Sequence, residues 1–100
     1  MIYKKNKLTI DGFGVISLTK KFSTPVYCYS FKKLKENISS FKKNFKKINP
    51  LICFAVKSNS NIMLLKEIKK FNLGADVVSI GELMKALKAG IKPKKIVFSG

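Results

Sequence analysis

The sequence predicts an α/β fold built on a parallel sheet, and three observations carry that prediction. Three short strand-like runs, two wholly apolar at 51–56 and 96–98 and one at 75–78 interrupted by Asp76, each close on a polar residue: Lys57, Ser99 and Ser79 respectively. Between them lie two stretches with apolar residues at helical spacing, Ile62, Leu65, Ile68 and Phe71 in the first and Leu83, Ala86 and Leu87 in the second. The links are short and punctuated by Gly74, Gly90 and Pro93. Strand, helix, strand, helix, strand with short links describes crossover units, whose strands lie parallel.

In chain order, residues 7–18 read as two short runs around Asp11-Gly12, a dipeptide favoured in tight hairpin turns, with no helical period. Pro25 blocks helix, and Val26-Tyr27-Cys28-Tyr29 has high strand propensity. Ser30 is placed to cap a helix over 31–47, whose stripe of Phe31, Leu34, Ile38, Phe41, Phe45 and Ile48 predicts core packing. Asn49-Pro50 ends it. The run 51–56 has no polar break and predicts a strand buried on both faces. Asn59 or Ser60 is the expected cap of the next helix, and Gly74 its expected stop. A strand at 75–79, a helix at 81–89 with Leu83, Ala86 and Leu87 inward, and a strand at 96–98 complete the pattern.

Composition excludes several classes of function. There is no histidine, so neither a histidine triad nor a histidine-bearing zinc site can be built from this chain. Cys28 and Cys53 sit in apolar runs without metal-ligand spacing, and the expectation is reduced, buried thiols in a cytoplasmic protein. No apolar stretch approaches the roughly 20 residues of a membrane span, and the N-terminus lacks the apolar core of a secretory signal. The net charge of +16 invites a polyanion partner. Yet all 21 basic residues are lysine, and arginine supplies the bidentate fork that specific nucleic-acid readers use. A basic surface, with no specific nucleic-acid partner, is the expectation.

Lys57 is the candidate catalytic residue. It falls at the carboxyl end of an apolar strand, the end where α/β folds bind ligands. Partial desolvation there would suit an amine to form a Schiff base with a carbonyl compound such as pyridoxal phosphate. In a chain with 21 lysines, position alone leaves a solvated strand-end lysine as the competing reading. Parallel pairing brings Lys57, Ser79 and Ser99 to one rim. Three strands do not close a barrel, which takes about eight strands and roughly 250 residues. The expectation is therefore the front portion of a longer protein, inactive alone.

The segment FAVKSNSN at 54–61 resembles the cofactor-lysine motif of the fold-type III, alanine-racemase-like pyridoxal-phosphate decarboxylases, commonly Tyr/Phe-Ala-Val-Lys-Ala-Asn. GADVVSIGELMKALKAG at 74–90 and KIVFSG at 95–100 resemble the next two barrel segments of that family's bacterial diaminopimelate branch, and FSTPVYCYS at 22–30 resembles its Gly-Thr-Pro-leading segment. Ser23, Ser30 and Ser58 stand where the family commonly has glycine, aspartate and alanine, and none of these changes removes a group the chemistry requires.

The resemblance implies that residues 31–100 begin a (β/α)8 TIM-type barrel binding pyridoxal phosphate. It also implies that residues 1–30 form a short β segment packing on a separate, C-terminal β domain. It implies decarboxylation of meso-diaminopimelate to lysine by a homodimer, with a small amino acid as substrate and no membrane partner. Lys57 would hold the cofactor, and Asp76 is a candidate cofactor contact, with Glu82 behind it. The phosphate loop and partner-subunit residues would lie past Gly100. An ornithine- or arginine-type decarboxylase, a racemase or a non-catalytic carrier of the same type is the alternative reading, and a lysine-rich polyanion-binding module a more distant one.

Overall fold

The computed structural model describes residues 1–100 as two compact units, Met1–Ser40 and Phe41–Gly100. The first opens with an antiparallel meander of β1 (Ile2–Lys4), β2 (Lys7–Ile10) and β3 (Phe13–Gly14). Asp11-Gly12 is the predicted two-residue turn, with Ile10 opposite Phe13 and both turn residues at positive φ (51° and 85°). The same device recurs at Lys5-Asn6, with φ of 48° and 63°. Two turn residues with positive φ match the right-handed twist of the strands they join. Thr9, buried, donates its hydroxyl to the Ile2 carbonyl at 2.9 Å.

Two expectations for this unit are corrected. The second half of the expected hairpin is a helix, α1 (Val15–Phe22), which half-buries Val15, Leu18 and Thr19 and leaves Ile16 exposed. Its β-branched residues favour strands, and its stripe is too short to announce a helical period. Residues 26–29 form no strand, since nothing pairs with them; Tyr27 is 89% exposed and Cys28 is exposed rather than buried. Strand propensity without a partner strand does not make a strand.

Helix α2 (Phe31–Asn44) starts where expected. The Ser30 hydroxyl accepts from the Lys33 amide at 2.9 Å and donates to one oxygen of Asp11, whose other oxygen accepts from the Lys32 amide at 3.1 Å. The hydroxyl of Ser30, and then the Lys32 amide, hold the Asp11 carboxyl below its ordinary 3.8. A depressed acid contributes stability above its unfolded pKa and loses it as pH falls through the folded value. The Lys32 amide resonance is therefore expected to shift on acidification with a midpoint below pH 3.8, as its carboxylate acceptor is protonated. Asp11→Asn should abolish that transition in an NMR titration. Along α2 only Ile38 is buried and Leu34 half-buried, so most of the predicted core stripe is exposed.

In the second unit β4 (Cys53–Ala55), β5 (Gly74–Val77) and β6 (Ile96–Phe98) form a parallel sheet in that order. Helix α3 (Ile62–Lys70) connects β4 to β5, and α4 (Ile80–Lys88) connects β5 to β6, so the predicted alternation holds. The core is Val56, Leu65, Ile68, Ala75, Val77 and Ala86, each at most 1% exposed, with Leu64, Leu73, Ala89 and Ile91 around it. Asn61, rather than Asn59 or Ser60, caps α3 by accepting from the Met63 amide at 2.9 Å. The helix stops at Asn72, with φ of 63°, and the expected stop, Gly74, lies inside β5. Leu87, expected inward, is 40% exposed, while Ala86 is buried as expected. Strand β4 is half-buried rather than buried on both faces, because β5 is its only neighbour.

Candidate active site

The three parallel strands deliver their carboxyl ends to one rim. Strand β4 runs into a single 3-10 turn, Val56–Ser58, with Lys57 at its middle. Val56 is fully buried and anchors the turn. The Ser58 hydroxyl donates to the Ala55 carbonyl at 2.8 Å and the Asn59 amide to the Val56 carbonyl at 3.1 Å. Beyond it, the Asn59 side chain accepts from the Asn61 amide at 3.1 Å, and Lys85 on α4 donates to the Ser60 hydroxyl at 3.0 Å. The backbone under Lys57 is thus fixed from both sides, while its side chain is exposed. The expected partial desolvation of Lys57 is not met in this chain, because the turn lifts the residue past the end of the strand.

Asp76 reaches the same rim through strand register. It pairs with Ala55 on β4 and with Val97 on β6. Alternation along a strand sends Ala75 and Val77, both buried, to the face on which α4 packs, so Asp76 projects to the opposite face. There it is half-buried, and one carboxylate oxygen accepts a 2.6 Å hydrogen bond from the Ser99 hydroxyl. The Ser99 amide donates to the Val77 carbonyl at 3.1 Å, which fixes the serine. No lysine lies within ion-pair distance of Asp76; the ion pairs are Lys33 with Glu36 and Lys70 with Glu67.

The other rim residues have structural work. Ser79 accepts from the Glu82 amide at 3.1 Å, and the Glu82 carboxylate accepts from the Val78 amide at 2.8 Å. This reciprocal arrangement is a capping box at the start of α4. It uses the carboxylate that ranked behind Asp76 as a cofactor contact. Cys53 turns its sulfur over Gly74 toward the Lys95 carbonyl at 3.8 Å. Burial, and then the charge of Asp76, push its thiol above the ordinary value of 9.0, which disfavours the reactive thiolate. No group of three histidine, cysteine or acidic side chains is placed to hold a metal. Sequence reasoning brought Lys57 and Ser99 to one rim but did not find the Asp76–Ser99 bond. The signal was available: in parallel register, a polar residue just past β6 lies beside the end of β5.

A family model described as the pyridoxal-binding domain of pyridoxal-dependent decarboxylases matches residues 31–100. Diaminopimelate decarboxylase of Helicobacter pylori strain J99 is 49% identical over 88 residues, covering 88% of this chain and 22% of that protein. Diaminopimelate decarboxylase of Aquifex aeolicus is 43% identical over 98 residues, covering 98% of this chain and 23% of that protein. The crystal structure of diaminopimelate decarboxylase from M. jannaschii in complex with L-lysine superposes with a TM-score of 0.92 at 35% identity, covering 97% of this chain and 24% of that one. The chain thus spans less than a quarter of the length of the relatives it matches.

Proposed function

The chain belongs to the pyridoxal-dependent decarboxylase family, and on that footing we propose that it is part of a diaminopimelate decarboxylase, an enzyme releasing carbon dioxide from meso-diaminopimelate to leave lysine. The observation that carries this reading is Lys57, on a rigid turn at the carboxyl rim of the sheet, within a segment 49% identical to such an enzyme. In this reading the strands and helices of residues 31–100 begin a (β/α)8 barrel, and residues 1–30 pack on a β domain elsewhere in the protein. The full-length enzyme is a cytoplasmic homodimer acting on a free amino acid. No helix of the chain is long and apolar enough to cross a membrane.

The donor set fits pyridoxal phosphate at its reactive end. An aldehyde cofactor needs a primary amine reachable from solvent on a backbone held by its own hydrogen bonds, and Lys57 provides both. Asp76, on the same rim, offers a carboxylate that no lysine of the chain neutralises. When bound, the cofactor supplies the electron sink for decarboxylation. The chain's own contribution is to anchor that group through the Lys57 nitrogen and to hold a fixed negative charge on the rim. In the full-length enzyme, meso-diaminopimelate is expected to yield lysine and carbon dioxide with little turnover of ornithine. Preference for ornithine in direct competition would move the protein to the sister branch.

A further inference from the structure

Four of the five acids in this chain have a structural task. Asp11 and Glu82 cap helices, and Glu36 and Glu67 pair with lysines. Asp76 does neither, and its one side-chain partner is Ser99. We propose that Ser99 is a positioning residue of the active site, whose hydroxyl fixes the Asp76 carboxylate on the rim that carries Lys57. The proposal rests on the reading of Lys57 as the cofactor lysine.

Three features support it. In a chain of net charge +16, a half-buried carboxylate held by a neutral hydroxyl keeps its charge available for a cationic group that arrives later. At 2.6 Å the bond is in the short range of charge-assisted O–H donors, which orient an acceptor as well as bind it. Both ends are mounted on paired backbone: Asp76 lies within β5, in register with Ala55 and Val97, and Ser99 is pinned by its amide to Val77. Groups held on strands and their immediate ends are placed more precisely than groups on free loops. Without the hydroxyl the carboxylate is free to rotate about its terminal torsion, which has only broad minima.

The test uses the full-length enzyme, with Ser99→Ala, Asp76→Asn and the double variant forming a cycle. Turnover, KM and the dissociation constant from titrating apoenzyme with pyridoxal phosphate are measured on each, and apoenzyme melting checks folding. Ser99→Ala is expected to lower kcat and weaken cofactor binding by about tenfold each, the effect of losing one hydrogen bond to a charged group. In the Asp76→Asn background the same change should alter neither by more than about twofold. Ser99→Thr should keep most of both quantities, and its isostere Ser99→Val should behave as Ser99→Ala does. Equal losses in both backgrounds, or Thr and Val variants that behave alike, would assign Ser99 to strand-end packing and overturn the proposal. Cofactor attachment surviving in Lys57→Ala would instead overturn the reading on which it rests.

Discussion

Lys57→Ala in the full-length enzyme is expected to lower turnover by at least about 10³-fold, and to do so without unfolding the protein. In the function proposed above, the amine would hold the cofactor's aldehyde and give way to the substrate's amine, a role no neighbouring residue would replace. Structural cost should be small. The side chain is exposed, and the turn beneath it is held by Val56, Ser58 and Asn59 rather than by the lysine itself. An exposed substitution of this kind changes stability by no more than about 0.5 kcal/mol. Borohydride reduction of the native enzyme with pyridoxal phosphate, followed by peptide mapping, should place the label on Lys57 and on none of the other lysines of this segment. A label elsewhere, or a Lys57→Ala variant that retains turnover, removes the central assignment. A loss of activity matched by a collapse in melting temperature would show that the turn, and not the amine, had been damaged.

What was legible beforehand was what depends on local pattern. The order of β4, α3, β5, α4 and β6 follows from short strand-like runs, helical spacing and the punctuation between them, and Ser30, Asp11-Gly12 and Gly90 performed the turn and cap roles their chemistry suggests. What was not legible depended on partners. The segment 26–29 has the composition of a strand but no strand beside it, and α1 carries β-branched residues that a strand would also use. The stripe on α2 has helical period, yet most of it is exposed, since period records which face is apolar and not whether anything covers it. At the candidate site, Lys57 stood out as a lysine after an unbroken apolar run and by the motif around it, and the structure places it in the turn at the carboxyl end of β4. The Asp76–Ser99 bond joins residues on different strands, and only the pairing register reveals it.

Gly74 is the clearest case of a residue whose role pairing alone discloses, and it yields the largest expected effect on stability. By local pattern it looked like a helix stop. In the structure it is a buried strand residue opposite Cys53, and its φ is ordinary, so conformational freedom is not what requires glycine there. Space is what requires it. A Cβ at Gly74 would overlap the Lys95 carbonyl oxygen and come within 2.8 Å of the Cys53 sulfur. The sulfur has some freedom to turn away; the carbonyl belongs to the backbone leading directly into β6 and moves only if that strand moves. Gly74→Ala should therefore destabilise the full-length enzyme by roughly 3 kcal/mol, at the upper end of typical overpacking costs. Cys53→Ala should not restore the loss, because the carbonyl overlap remains. Gly81→Ala is the matched control. Its Cβ would meet only the Ser79 hydroxyl oxygen, at 3.9 Å, in the first turn of α4. There the same change should stabilise by about 0.4–1 kcal/mol through lost freedom in the unfolded chain. Denaturant midpoints of the two variants should therefore move in opposite directions from the native value. A Gly74→Ala midpoint equal to native would show that β6 yields at no cost and that the tight contact between β5 and the approach to β6 does not hold the rim in place.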